Sequence, residues 1–343
     1  MRRIALSGLL GLWMIACAAH AQEPATAPPQ AEAQDPAQDV IEMDTVTVSG
    51  VQPGPGLWKV SRGDHVLWVL GTVAPLPSGM EWKSEEVRGV LEQADQVLGP
   101  PGVAVGADIG FFRGMMLVPS ALKAMKNPDG KTLQDMLPAE TYARWAALKQ
   151  QYIGRDGGVE KKRPFLAAQE LYQHAIKRSG LGGGVVSPVI YEVLKRRKMK
   201  LTSTVLGISV DDPKAALADF RKEQATAQEV ACMNEMLDTL EHDLPRMVTR
   251  ANAWATGDLD ALRALPLTER RSCWSVWADT ETVRKRGMTD IQARIGAKWL
   301  EAAEAALAKN RTTFATLPVS DLFAPEGYFA QLQAKGYTVE APL

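Results

Sequence analysis

Histidine, cysteine and any surplus of one charge are scarce in this 343-residue chain, and each shortage removes a class of function. The four histidines are His20, His65, His174 and His242. No two stand at His-x-x-x-His spacing, so no helix face offers a pair of imidazoles to a zinc ion. Cysteine occurs three times, at Cys17, Cys232 and Cys273, and neither of the later two sits in a nucleophile signature. No Gly-x-Ser-x-Gly elbow is present, which removes the common serine-hydrolase arrangement. Beyond the N-terminus no apolar run reaches the roughly 18 residues that a membrane span requires. Lysine and arginine number 39 against 40 acidic residues, so there is no electrostatic case for nucleic acid.

What is present begins with an export signal. Arg2 and Arg3 precede an apolar run from Ile4 to Ala18, and Ala19-His20-Ala21 forms an A-x-A cleavage site. Residues 1–21 are therefore expected to be a signal peptide cleaved after Ala21, which places the product in the periplasm. Met14-Ile15-Ala16-Cys17 loosely resembles a lipoprotein box and offers lipidation of Cys17 as the alternative. After the signal leaves, Cys232 and Cys273 remain, and an oxidising compartment favours one disulfide over two buried thiols. Residues 22–54 are expected to be a linker rich in Ala, Pro, Gln and Glu, too polar to offset its ordering entropy. Near its end, Asp44-Thr45-Val46-Thr47-Val48-Ser49-Gly50 has strong β propensity. It reads as a first strand of the domain or as a segment resembling a TonB box, offered to a TonB-like envelope partner by strand addition.

The globular part, 55–343, holds 37 basic and 34 acidic residues once Gly50 is passed, a near-neutral balance. Leu57–Val60 and His65–Thr72, separated by Ser61-Arg62-Gly63-Asp64, predict a β-hairpin. A helix over 84–94 follows, with Ser84 as N-cap and Glu85 and Glu86 as first-turn charge. Val97-Leu98 predicts a short strand. Helical spacing then dominates from about 109 to 300, interrupted by a strand at 201–206. Gly180 to Gly184 reads as a helix stop and not a phosphate loop, because no strand precedes it and no Gly-Lys-Ser/Thr follows. Lys195-Arg196-Arg197-Lys198 suits a helix C-terminus. A helix over 279–308 is expected to break near Gly287 or Gly296. A strand over 313–319, a helix over 327–334 and a strand at 337–339 close the chain. The acidic pairs Glu85-Glu86 and Asp211-Asp212 read as helix-end and loop charge, not as acid–base machinery. Strands at both ends and many helices between them give an α/β (α+β) class.

Several of these segments together resemble one family. Leu57-Trp58-Lys59-Val60, Val66–Thr72, Lys131-Thr132-Leu133, Trp254 with Gly257-Asp258-Leu259, Pro325-Glu326-Gly327 and Gly336-Tyr337-Thr338-Val339 follow the order and spacing of TraB/GumN proteins. The resemblance covers about 55–341. It implies two similar half-units, one near each end, forming a central sheet around a large helical insert at about 109–300. It also implies kinship with TIKI-type metal-dependent peptidases and with erythromycin-esterase-like and heme-binding relatives. Active members carry two Gly-x-x-His motifs and nearby acidic and basic residues, a donor set suited to a divalent metal that activates water.

This chain departs from that pattern at each functional position. The first motif reads Gly71-Thr72-Val73-Ala74, with Ala74 in place of histidine. The second reads Pro318-Val319-Ser320-Asp321, with Asp321 in place of histidine. Gly99 stands where a glutamate is usual, and Thr204-Val205-Leu206 lacks the acid expected at the end of its strand. Arg286 keeps the arginine of an arginine-asparagine pair, but Gly287 replaces the asparagine. Alanine neither ligates nor carries a proton, and one carboxylate makes no tight metal site. The expectation is thus an exported, non-catalytic binding or accessory protein of the bacterial envelope, with no cofactor. Two alternatives stay open. One is a metal-dependent hydrolase or peptidase using substitute ligands around Mn, Co or Zn; the other is a small-molecule or heme-binding module.

Overall fold

The structure is a computed structural model that describes residues 54–222, 227–265, 281–286, 288 and 290–342. Its central sheet follows from hydrophobic patterning. β1 (Leu57–Arg62) and β2 (His65–Thr72) form the expected hairpin, in a register that pairs Leu57 with Leu70 and Arg62 with His65. Gly63 turns the chain at φ +61°, the glycine that such a two-residue loop requires at its first central position. β4 (Gln96–Leu98) and β8 (Thr312–Pro318) lie parallel to one another, and β8 lies parallel to β2. β9 (Thr338–Glu340) closes the other edge against β1. The order is β4-β8-β2-β1-β9, so strands from the two ends of the sequence interleave in one sheet.

Both faces of this sheet are covered, which is why β2 reads as a nearly continuous apolar run and β8 buries five residues in succession, Thr313 and Thr316 among them. On one face, Leu70 and Phe314 pack with α1 (Glu85–Gln93), α6 (Val186–Arg197) and Trp254. On the other, Leu67, Val69, Ala315 and Leu317 meet Trp299, Ala303 and Leu307 of the helix Ile291–Lys309, and Leu332 of the helix Tyr328–Ala334. A separate core joins α4 (Ala139–Tyr152), α5 (Pro164–Arg178), α8 (Ala227–Asp238) and α9 (Leu244–Thr256). Inside it, the fully buried Arg163 forms an ion pair with Glu229, donates from Nη1 to the Phe220 carbonyl at 3.2 Å, and lies over the Phe220 ring.

Several sequence expectations are corrected. Ser84 does not cap α1 through its side chain; its hydroxyl oxygen instead accepts from Arg88 Nε at 3.0 Å. The strand placed at 201–206 is β7 (Val205–Ser209), while Thr202 makes only an isolated bridge to Leu98. β7 pairs in parallel with β5 (Gly102–Gly106), a strand that apolar patterning did not reveal. The stretch expected to be helical from 109 to 300 also holds β6 (Leu181–Gly182), paired with β3 (Leu76–Pro77), as well as β7. Gly296 does not break its helix, which runs unbroken from Ile291 to Lys309; the interruption lies between Arg284 and Ile291. The signal peptide, the linker, the Asp44–Gly50 segment, Cys273 and Gly287 lie outside the described residues.

Candidate functional site

In sheets with parallel strands, ligands bind beyond the carboxyl ends of those strands. β4, β8 and β2 are the three parallel neighbours here, with Thr72 opposite Pro318 and Leu98 opposite Ala315. Gly99 follows β4 directly, Ala74 lies two residues past β2, and Asp321 lies in the short helix Val319–Phe323 that follows β8. The topology therefore brings residues 74, 99 and 321 to the carboxyl end of these strands, although they are far apart in sequence.

That end is filled. A Cβ added at Gly71 would stand 2.9 Å from Leu322 Cδ1 and 3.1 Å from Val319 Cγ2, so the helix after β8 seats directly on the end of β2. The indole Nε1 of Trp254 donates to the Gly71 carbonyl at 2.9 Å, and the Trp254 ring packs on Trp82 with centroids 5.5 Å apart. Trp299 Nε1 donates to the Gly99 carbonyl at 3.2 Å, and Thr204 Oγ1 reaches the same carbonyl at 2.9 Å. Both tryptophans are fully buried. Neutral donors thus occupy the carbonyls that the strand ends present.

A sequence model of the TraB/PrgY/gumN family matches residues 56–341. The chain belongs to the TraB/PrgY/gumN family. No curated protein and no solved structure matches it. The matched span of this TraB/PrgY/gumN protein runs from β1 to the end of β9 and so includes every strand of the central sheet.

Ala74 and Asp321 open onto different cavities of the TraB/PrgY/gumN domain. Ala74 is exposed, precedes the cis peptide to Pro75, and lines a cavity of about 790 Å³ with Tyr172, His174 and Lys177. Asp321 lines a cleft of about 750 Å³ between the helix Ile291–Lys309 and residues 324–335, with Gly296, Glu301, Glu304 and Tyr328. Burial pushes the Asp321 carboxyl above its ordinary value. Burial, and secondarily the charge of Asp321, push the Tyr328 hydroxyl up to about 12. Arg286 lines neither cavity. It donates to Asp219 Oδ2 at 2.6 Å and, chiefly through that bond, holds the Asp219 carboxyl below the usual range.

Among the described residues no group of three or more His, Cys, Asp or Glu is placed to hold an ion. His65 lies on β2, His174 on α5, and His242 in the π-helical turn Thr239–Asp243. Thr72 turns its hydroxyl to the Leu317 carbonyl at 3.2 Å and serves the strand pairing. Sequence reasoning missed the closing donors Trp254, Trp299 and Thr204. Trp254 was visible as part of the helix-turn-helix segment, but its partner Gly71 lies 183 positions away, and no local signal links them.

Proposed function

We propose that this TraB/PrgY/gumN protein is an exported, non-catalytic binding or accessory protein of the bacterial envelope. The observation that carries the reading is the closed strand edge. Where active relatives have histidines and an acid, this chain has Ala74, Asp321 and Gly99, and indole donors occupy the adjoining Gly71 and Gly99 carbonyls. A water-activating metal needs three protein donors converging on one point, and Ala74 and Asp321 face separate cavities. Export rests on the Arg2-Arg3, apolar and Ala19-His20-Ala21 layout. Within this reading Asp44–Gly50 is the segment that a TonB-like partner would pair with, and Cys232 bonds to Cys273.

The test is thermal unfolding of the mature protein with micromolar Mn, Co or Zn. An ion stabilises the fold only if it binds folded better than unfolded chain, so the midpoint is expected to stay where it is. A rise of several degrees with any of the three would overturn the reading in favour of a metal-dependent hydrolase with substitute ligands. The Asp321 cleft favours one second reading, a small-molecule-binding module, because its volume of about 750 Å³ lies within the range of ligand pockets. Heme or a small-molecule panel that raises the midpoint of wild type but not of a Gly296→Trp variant would support it.

A further inference from the structure

α2 (Phe111–Ala124) turns an unusually apolar face outward. Phe112 and Met116 are each 80% exposed and Phe111 74%, with Met115, Val118 and Leu122 also in the open. Residues 111, 115, 118 and 122 recur at helical spacing, so they form one stripe, and 112 and 116 widen it. Only Ala124 of this helix is buried. From Ile109 to Pro128 the sequence contains Arg113, Lys123 and Lys126 and no acidic residue.

The C-terminal end of the same helix opens on a cavity of about 550 Å³ whose walls carry Lys123, Lys126, Lys131, Lys161, Arg221 and Lys222 against a single acid, Asp129. None of these six cations forms an ion pair with a carboxylate among the described residues, whereas eight arginines elsewhere in the domain do. A chain whose charges balance overall has thus gathered six cations beside an exposed apolar stripe. Apolar side chains on one helix face flanked by cations match the two layers of a membrane surface, acyl chains beneath anionic phosphates.

We propose that α2 and the adjoining basic cleft form a peripheral docking surface for an anionic phospholipid membrane. Phe111, Phe112, Met115 and Met116 enter the headgroup–acyl boundary, and the cleft takes lipid phosphates. The apolar stripe supplies insertion and the cations supply selection for negative charge. Among the described residues no helix is long and apolar enough to cross a membrane.

The test is co-sedimentation of the mature chain with vesicles of phosphatidylcholine alone or mixed equally with phosphatidylglycerol. Partitioning onto the anionic vesicles is expected to exceed that onto phosphatidylcholine by at least about tenfold and to weaken as salt is added. Lys126→Glu with Lys222→Glu, and separately Phe112→Ser with Met116→Ser, should each lower anionic-vesicle binding on the order of tenfold. All four side chains are exposed, and an unchanged unfolding midpoint verifies that the variants fold. Equal binding to both vesicle types, binding to neither, or full binding by both variants would overturn the proposal. So would inorganic phosphate that fills the cleft while vesicles capture nothing. A dimer in sedimentation equilibrium that Phe112→Ser with Met116→Ser converts to monomer, without vesicle binding, would assign the face to a second copy instead.

Discussion

Asp321 carries a carboxyl whose surroundings resist ionisation. Burial raises its affinity for a proton in the folded chain relative to the unfolded one. A group of that kind favours folding while protonated. Its contribution is intact below the ordinary aspartate value of 3.8 and is lost as pH rises through the higher folded value. Asp321→Asn keeps the neutral shape at every pH. The substitution should therefore leave denaturant midpoints unchanged at acidic pH and raise them at neutral pH, and an equal effect at both would refute this account. The carboxylate itself was legible in Pro318-Val319-Ser320-Asp321. That it lines one cleft with Tyr328 and Glu301 was not, because the cleft is assembled from a helix and a loop that only packing brings together.

At the scale of elements, the junction of α9 with α10 (Leu259–Ala264) ties the helical region to the sheet. Trp254 reaches the Gly71 carbonyl, Gly257 adopts φ +73°, and Asp258 accepts from the Ala261 amide at 2.9 Å as a true N-cap. Trp254→Phe keeps most of the ring but strands a buried carbonyl, at about 1–3 kcal/mol. Gly257→Ala combines left-handed strain of about 1–2 kcal/mol with a Cβ placed 2.8 Å from the Gly54 carbonyl oxygen. Urea unfolding should show both losses, and a Trp254→Phe midpoint within error of wild type would remove the indole bond from the account. The turn was legible because Gly-Asp ahead of an apolar run is a local signal. β5 was not, since Pro100-Pro101 and flanking glycines mask a strand whose partner β7 lies about a hundred residues away. The strand read at 201–206 starts only at Val205 and runs on to Ser209, and the preceding Thr204 places its hydroxyl against the Gly99 and Pro100 carbonyls. Gly296 passes inside a helix because burial of Trp299, Leu300, Ala303 and Leu307 outweighs the ~1 kcal/mol that a lone glycine costs.

For the whole molecule, the remaining prediction concerns covalent closure. Cys232 is buried in the helical core, and Cys273 lies about 40 residues further on, outside the described residues. A bridge between them would confine the unfolded chain by about 3–4 kcal/mol in the loop-entropy account. The oxidised mature protein should show no thiol under denaturing, non-reducing conditions, and reduction should lower its unfolding midpoint. Two titratable thiols would exclude the bridge.

The sequence by itself determined the class and the family. Strand-like runs at both ends, helical spacing between them, and the ordered segments from Leu57 to Val339 are local patterns, and a pattern carried by near neighbours survives being read one residue at a time. It also determined that positions 74 and 99 carry no side-chain donor atom in any conformation, since they are alanine and glycine. Tertiary structure alone decided that β8 inserts between β2 and β4, that Trp254 and Trp299 close the strand ends, that Ala74 and Asp321 face different cavities, and that six cations gather beside an exposed helix. Each of these depends on contacts between residues tens to hundreds of positions apart. Loop closure and burial fix such contacts jointly, and no window along the chain contains both partners.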